Sequence, residues 1–355
     1  MTLAPHFAGG RDYLAACTLG LPPRATVAAV TADLEAAASG RPDVAAATRA
    51  VEDARWSYAR LVHAPVPQVA IAAQTSVAVS LIAAAVPDGA EVLCADGDFA
   101  SLVAPFAHVG RGVRLRSVPL GTLAAEVTAD TWLVAFSLVQ SATGEVADAA
   151  AIAAAAARNG ARTLCDLTQA AGWLPVDATL FDATVCHAYK WLCAPRGVAF
   201  LTLSPALAGE LRPVHAGWYS GDDPWASCYG TSAPLAPDAR RFDVSPAWQA
   251  FVGAAPALAL FAAADPAAVH AHATGLAERF REGLDLEEPR RASAIVTWPD
   301  ADGCSLARLT ASGIIASGRA GRARVAFHVF NDEDDVDRAL SALQGQRSAT
   351  LSVVI

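Results

Sequence analysis

Short apolar runs alternate with alanine-rich stretches from about residue 66 to residue 205, and this alternation limits the fold more than any other feature of the chain. The apolar runs predict β-strands at residues 69–72, 91–95, 113–118, 132–137, 163–166, 183–186 and 198–203. The stretches between them predict helices at residues 76–85, 99–109, 147–159 and 168–172. Short, nearly continuous apolar strands that alternate with helices are typical of a mostly parallel sheet covered on both faces. We therefore predict an α/β fold, with its chemistry at the carboxyl ends of the strands.

The second half of the chain predicts loops followed by a smaller domain. Residues 204–246 are punctuated by proline and carry Trp218, Tyr219, Trp225 and Tyr229, a pattern that predicts loops covering a site or forming a subunit contact. Further on, the sequence predicts helices at 247–263 and 266–282, strands at 292–298 and 324–330, and a final helix capped by Asn331-Asp332. The expected organisation is an N-terminal segment (1–25), a large domain (26–264), a small α+β domain (265–345) and a tail (346–355).

Composition argues against several classes of partner. The formal net charge of −9 gives no electrostatic basis for binding nucleic acid or an anionic membrane. Two uncharged stretches, 66–86 and 244–264, reach the length of a membrane span, but proline and polar residues interrupt both, so we predict buried helices and no membrane segment. Seven cysteines without a C-x-x-C pair, and an N-terminus without a signal-peptide pattern, predict a reduced, cytoplasmic protein. No metal site is predicted.

One acid and one lysine make the most specific chemical prediction. Asp166 ends an apolar run, and Lys190 follows the next predicted strand in an apolar and aromatic setting. A lysine amine can hold the aldehyde of pyridoxal 5′-phosphate as a Schiff base, and a buried carboxylate can keep the pyridine nitrogen of that cofactor protonated. Taken singly, Asp166 is more simply a helix cap and Lys190 a surface residue. Lys190 is the only lysine in the chain, so a Schiff base could form at one residue only.

Four residues are candidates for binding the phosphate group of that cofactor. Thr75 and Ser76 begin a predicted helix, and hydroxyl groups combined with free N–H groups at a helix N-terminus bind phosphate well. His187 and Tyr189 flank Lys190 and could add donors to the same group. The alternatives are ordinary N-capping for Thr75 and Ser76 and a satisfied core position for His187.

Three further side chains complete the predicted site. Phe99 follows a strand and could stack on the cofactor ring, although core packing explains it as well. Gln169, three positions after Asp166, could donate a hydrogen bond to the phenolic oxygen of the cofactor. Arg324 begins a strand of the small domain and could hold a substrate carboxylate with two parallel hydrogen bonds. The alternative for Arg324 is a surface salt bridge with the acidic helix at 333–335.

These motifs resemble the class V aminotransferase superfamily of fold-type I pyridoxal phosphate enzymes, which includes cysteine desulfurases, kynureninase and isopenicillin N epimerase-like proteins. The resemblance covers nearly the whole chain and is most specific at residues 166–172, 176–177, 187–192 and 195–198. It implies that Lys190 forms the Schiff base and moves protons, and that Asp166 pairs with the pyridine nitrogen. It assigns Phe99 to ring stacking, Gln169 to the phenolic oxygen, and Arg324 to the substrate α-carboxylate. It also implies a homodimer in which the 218–246 loops serve the neighbouring site.

The sequence departs from the superfamily at four places, one of which is the N-terminal segment 13–17, where a polar pair is lacking. Cysteine desulfurases carry a sulfur-accepting cysteine on a mobile loop shortly before the strand of Arg324, and residues 313–322 contain none, which argues against a persulfide-forming desulfurase. A Gly-Thr pair that reaches the partner's phosphate is replaced by Ser245-Pro246. An asparagine common in the superfamily is replaced at Gln140-Ser141.

The expected function is that of a pyridoxal phosphate enzyme acting on an amino acid. We favour elimination at Cβ, as in a carbon–sulfur lyase, by analogy with the branches that the sequence resembles. Transamination and epimerisation remain alternatives, because they begin with the same removal of the Cα proton. An alternative of another class is a non-catalytic scaffold or binding protein that retains the fold.

Overall fold

The computed structural model describes residues 3–344 of the 355-residue chain. Its large sheet contains β1 (Val69–Ala72), β2 (Glu91–Ala95), β3 (Arg114–Val118), β4 (Thr131–Ser137), β5 (Arg162–Asp166), β6 (Ala183–His187) and β7 (Ala199–Leu203). The strand order is β1-β7-β6-β5-β4-β2-β3. Strands β2 to β6 run parallel, whereas β7 is antiparallel to both of its neighbours. The predicted α/β fold with a mostly parallel sheet is confirmed, and the seven strands predicted between residues 66 and 205 are each observed to within one residue at either end.

Both faces of the large sheet are buried, as nearly continuous apolar strands require. Along β4, Val134 and Phe136 pack into one apolar cluster, and Leu133 and Ala135 pack into the cluster on the opposite face. Successive side chains of a strand point to opposite faces, so a strand buried on both sides must be apolar at every position. The same physics made these strands recognisable in the sequence.

Helices cover both faces of the sheet and build the rest of the molecule. They are α1 (Arg24–Ala38), α2 (Val44–Leu61), α3 (Thr75–Ala85), α4 (Ala100–His108), α5 (Ala149–Asn159), α6 (Pro205–Glu210), α7 (Trp248–Ala262), α8 (Pro266–Gly283), α9 (Cys304–Ala311) and α10 (Glu333–Gln344). The helix predicted at 168–172 is wrong. That segment forms consecutive turns instead, and Gly172, with φ +107°, leaves the helical conformation at its end.

The C-terminal part of the chain, where a small domain is predicted, contains a three-stranded antiparallel sheet. Its strands are β8 (Ile295–Pro299), β9 (Ser317–Arg319) and β10 (Arg322–Ala326), in the order β8-β10-β9. The strand predicted at 324–330 is therefore wrong in its second half. The side chain of Asn331 accepts a hydrogen bond from the backbone N–H of His328 at 2.9 Å and closes a turn there. Asp332, rather than Asn331, caps α10 by accepting from the N–H of Asp335 at 3.1 Å. The predicted tail at 346–355 lies outside the described residues.

The N-terminal segment contacts both the three-stranded sheet and the turn that follows β6. Ala15 pairs with Ala326 beside β10, and the N–H of Gly20 donates to the carbonyl of Tyr189 at 2.9 Å. A Cβ atom at Gly20 would lie 1.9 Å from the carbonyl oxygen of Lys190, so only glycine permits this approach. The start of the chain is thereby held against the turn that carries the lysine.

Residues 204–246 are largely irregular, as predicted. Trp218, Trp225 and Trp248 form an aromatic cluster with ring centres 5.1 to 6.4 Å apart. Tyr229 is 93% exposed and Trp225 is 55% exposed. Large aromatic side chains in contact with solvent are typical of surfaces that bind another molecule.

The apolar stretch at 66–86 forms β1 as well as the helix α3, and the stretch at 244–264 contains α7. Across residues 3–344, no single helix is both long and apolar enough to cross a membrane. The helices Trp248–Ala262 and Pro266–Gly283, bent by 91° relative to each other, have the required length and hydropathy only when taken together.

A buried histidine predicts a loss of stability in acid. His328 is fully buried and its Nε2 lies 2.9 Å from the carbonyl of Trp191, beside the lysine turn. Burial, only partly offset by that carbonyl, lowers the pKa of His328 to about 4. Between about pH 6.5 and pH 4 the unfolded chain therefore binds a proton at His328 that the folded chain does not bind. The folded state is stabilised by a neutral His328 above the unfolded pKa of about 6.5, and this stabilisation is lost as the pH falls towards 4.

We expect His328→Gln, which keeps an N–H donor, to flatten this dependence. Between pH 8 and pH 5 the wild type should lose about 2 kcal/mol more of its free energy of unfolding than the variant loses. Urea titrations at the two pH values measure the difference, and His108→Gln, at an exposed position, is the control. Equal losses in the wild type and His328→Gln would show that His328 is charged in the folded protein.

Candidate active site

The carboxyl ends of the central strands place the predicted residues around one cleft. Asp166 is the last residue of β5 and His187 is the last residue of β6. Seven of the nine predicted residues line this cleft: Thr75, Phe99, Asp166, Gln169, His187, Tyr189 and Lys190. Ser76 is not among the lining residues, and its carbonyl accepts the hydroxyl of Ser80 within α3 at 2.7 Å. Arg324 meets the site through Ser141, which lines the cleft.

Lys190 lies in a buried and aromatic environment. Its side chain is only 5% exposed, and Nζ lies 5.2 Å from the ring centre of Phe99 and 5.7 Å from that of Tyr189. Burial lowers the pKa of Lys190 to about 8, even though Asp166 acts in the opposite direction. A large share of the amine is therefore neutral in mildly alkaline solution, which is the nucleophilic form.

Asp166 is a buried carboxyl group whose environment disfavours its charge. Burial raises its pKa to about 6, and hydrogen bonds from Thr168 together with the charge of Lys190 limit the rise. The N–H of Thr168 donates to Oδ1 at 2.8 Å. The hydroxyl of Thr168 in turn accepts the N–H of His187 at 3.0 Å, so the ends of β5 and β6 are joined beside the carboxylate. A cationic ring nitrogen at this point would favour the ionised form of Asp166.

Asp98 supports the candidate site from behind Phe99 and was not among the predicted residues. Its carboxylate accepts the N–H of Ser137 at 2.8 Å and the hydroxyl of the same residue. It also accepts the N–H of Phe99 at 2.7 Å. The aromatic ring over Lys190 is thus anchored to the end of β4. The only signal in the sequence was the position of Asp98 just before Phe99.

Gln169 is fully engaged by protein atoms. Its Nε2 donates to the carbonyl of Cys17 at 2.9 Å and to the hydroxyl of Ser141 at 3.0 Å. Its Oε1 accepts the indole N–H of Trp191 at 2.8 Å. A phenolic oxygen in the cleft would therefore compete with Ser141 for an N–H group of Gln169.

Arg324 is buried without an acidic partner. It donates to the hydroxyl of Thr18 at 2.9 Å, to Ser141 Oγ at 3.1 Å and to Ser317 Oγ at 3.1 Å. Within residues 3–344 it forms no salt bridge, so the predicted alternative of an ion pair with the helix at 333–335 is not observed. Thr18 and Ser141 were not predicted, because their roles depend on contacts distant in sequence.

A second buried arginine, Arg55, differs from Arg324 in having an acidic partner. Arg55 is equally buried, and its Nη2 lies 2.7 Å from the carboxylate of Asp243. A buried cation that lacks a counter-ion is costly, and the cost falls when an anion binds. Burial lowers the pKa of Arg324, which shows the same unfavourable environment. The side chain is suited to receive a carboxylate.

The cleft fits pyridoxal phosphate. The ring nitrogen Nε2 of His187 is buried and has no hydrogen-bond partner within the described part of the chain. The N-terminus of α3 has no side-chain cap, so its first N–H groups can bind an anion. The cleft holds about 550 Å³ of space outside protein atoms, counting its open mouth. The buried amine suits the aldehyde of this cofactor, and the buried carboxyl suits its pyridine nitrogen. The uncapped N-terminus of α3 offers N–H donors to its phosphate.

A buried lysine and acid at the carboxyl ends of a doubly covered, mostly parallel sheet define a pyridoxal phosphate enzyme of fold-type I. Comparison with known sequences agrees. The family model described as Aminotransferase class-V matches residues 24–297, and the chain belongs to this family. The predicted superfamily and cofactor are confirmed.

Individual relatives show where the chain is similar. Isopenicillin N epimerase of Streptomyces clavuligerus is 34% identical over 182 residues, which are 46% of this chain and 46% of that protein. A probable cysteine desulfurase of Aeropyrum pernix is 32% identical over 188 residues, 48% of this chain and 46% of that protein. The chain thus matches about half the length of these curated relatives. The solved cystine C–S lyase C-DES, in complex with cysteine persulfide, has a TM-score of 0.83 at 22% identity, covering 96% of this chain and 98% of that one.

Proposed function

We propose that this chain is a pyridoxal phosphate enzyme that breaks a bond at Cβ of an amino acid, as a carbon–sulfur lyase acting on a cysteine-derived or related substrate. Family membership supports the cofactor and the amino-acid substrate. The similar fold of the cystine C–S lyase supports elimination, and the hairpin that precedes Arg324 separates this reaction from persulfide-forming desulfuration.

This hairpin leaves no place for a sulfur-accepting cysteine. Strands β9 and β10 pair with Arg319 opposite Arg322, joined by the two residues Ala320 and Gly321. Both linking residues have positive φ, 49° and 71°, which is the geometry of a tight hairpin turn. No cysteine occurs in residues 313–322, and Cys304 lies on the exposed start of α9. Sulfur released in the cleft therefore leaves with the product instead of passing to a protein thiol from this loop.

The residues of the chain divide the work of an elimination. When bound, the cofactor supplies an aldehyde that captures the substrate amine and a ring that withdraws electrons from Cα. Arg324 holds the α-carboxylate and so fixes which bond at Cα faces Lys190. Lys190 then takes the Cα proton through its neutral amine. Asp166 keeps the pyridine nitrogen in its charged form, and Phe99 closes one side of the cleft against water.

Epimerisation is the second candidate, because the Streptomyces relative carries that name. It differs from elimination only after the Cα proton has been removed, when the proton returns to the opposite face. Transamination differs in returning a proton to the cofactor and releasing a keto acid. The three outcomes consume the same substrates but give different products.

Incubation of the purified holoenzyme with S-substituted cysteines in deuterium oxide separates these outcomes. We expect one thiol, one pyruvate and one ammonia for each substrate consumed, because elimination followed by hydrolysis yields all three. Inverted amino acid that carries deuterium at Cα, without pyruvate, would assign epimerisation. A keto acid in an amount limited by the enzyme, without ammonia, would assign transamination.

We also propose a cytoplasmic homodimer. The exposed rings of Trp225 and Tyr229 support a subunit contact on the loops before α7. The seven cysteines are all free thiols, which supports a reducing compartment. Light scattering should give twice the chain mass of 36.5 kDa, and a monomeric mass would contradict the dimer.

A further inference from the structure

The phosphate end of the cleft requires more positive charge than the predicted residues provide. A phosphate monoester carries close to two negative charges at neutral pH. Thr75 and Tyr189 offer only neutral hydroxyl groups there. Burial, with the nearby charges of Arg196 and Lys190, lowers the pKa of His187 to about 4, so its imidazole is neutral in the protein without ligand.

Two cationic side chains line the cleft within the described part of the chain, Lys190 and Arg196. The proposed function assigns the amine of Lys190 to the cofactor aldehyde. Arg196 remains available, because it forms none of the salt bridges found within residues 3–344. Its side chain lies at the exposed rim, where a guanidinium can reach an anion in the cleft without a large desolvation cost.

The geometry places the guanidinium next to the donor residues. Cζ of Arg196 lies 4.4 Å from the ring centre of Tyr189. The rings of Tyr189 and His187 meet edge to face with centres 4.4 Å apart. These three side chains form a continuous wall, and the buried Nε2 of His187 within it lacks a partner among the described residues. The backbone reverses at Gly197, with φ +99°, which only glycine adopts readily and which sets Arg196 at this rim.

We propose that Arg196 binds the phosphate group of the cofactor, stacked on Tyr189 and acting beside His187 and Thr75. The inference rests on the proposed function and adds to it the cationic residue that neutralises the phosphate. A planar guanidinium that stacks on an aromatic ring while presenting its N–H groups to phosphate is a combination that arginine supports well.

The test compares two ligands that differ only in the phosphate. Apoprotein is titrated with pyridoxal phosphate and with pyridoxal, and binding is followed by absorbance and by quenching of tryptophan fluorescence. Arg196→Gln should weaken pyridoxal phosphate by about 10- to 100-fold, the range for losing one charge-assisted hydrogen bond. Pyridoxal should change by less than about twofold, since it lacks the group that Arg196 binds. Arg196→Lys, which keeps the charge, should recover part of the loss.

Arg60→Gln is the matched control, because Arg60 also lies over an aromatic ring, 5.6 Å from the centre of Trp56, and does not line the cleft. Equal weakening of both ligands in Arg196→Gln would overturn the inference and assign Arg196 to the shape of the wall. Unchanged cofactor affinity with weaker binding of the amino acid would also overturn it and assign the residue to the substrate. A wild-type apoprotein that binds neither ligand would instead refute the proposed function.

Discussion

Replacing Lys190 with alanine is expected to abolish covalent attachment of the cofactor and to lower kcat by about 10⁴-fold. The reason is that one amine carries two tasks, holding the aldehyde and moving the Cα proton. The chain contains no second lysine that could substitute. Borohydride reduction followed by mass spectrometry should find one cofactor fixed to the peptide containing Lys190 in the wild type and none in the variant. Cofactor fixed elsewhere in Lys190→Ala would contradict the assignment.

Two comparisons separate loss of chemistry from loss of fold in this experiment. Lys190→Arg keeps a positive charge near Asp166 but stays protonated, so it should fail as completely as the alanine variant. Small primary amines added to Lys190→Ala should restore part of the rate, because they enter the space left by the side chain and accept the proton. The circular dichroism spectra of both variants should match the wild type.

The large sheet was predictable because its determinants are local. Every strand of this sheet except the edge strand β3 is buried on both faces, so its apolar run is visible in the sequence without knowledge of its neighbours. The strand predicted at residues 324–330 was wrong in its second half because a local apolar pattern was the only guide there. Residues 327–330 are as apolar as a strand, and only the side chain of Asn331 bending back to His328 ends it.

The site was predictable where chemistry depends on residue type and hidden where it depends on distant contacts. Lys190 and Asp166 were identifiable because few residues can perform their chemistry. Ser141 and Thr18 were not, since both are ordinary hydroxyl residues that become important only by binding Arg324 across the domain boundary. Asp98 was not identified because it lies in the loop after β2 while its partner, Ser137, ends β4.

Replacing Asp166 with asparagine is expected to lower kcat by about 10²- to 10³-fold while leaving the cofactor covalently attached. Asparagine has nearly the same shape and can keep the hydrogen bond with Thr168, but it cannot balance a positive charge on the pyridine nitrogen. The ring would then lose its proton and withdraw electrons poorly. Asp166→Glu retains the charge on a longer side chain and should recover part of the rate.

The pH dependence of cofactor binding gives this prediction a second, independent measurement. Burial raises the pKa of Asp166 to about 6 in the protein without ligand, so the anion that favours the cofactor is lost as the pH falls through 6. The affinity of the wild-type apoprotein for pyridoxal phosphate should therefore decline below pH 6 more steeply than that of Asp166→Asn, which has no proton to gain. Comparing the two proteins removes the titrations of the cofactor itself. Asp265→Asn is the control, because that carboxylate caps α8 at an exposed position and does not line the cleft, so its variant should keep the wild-type slope. Parallel curves for the wild type and Asp166→Asn would place the acid away from the pyridine nitrogen.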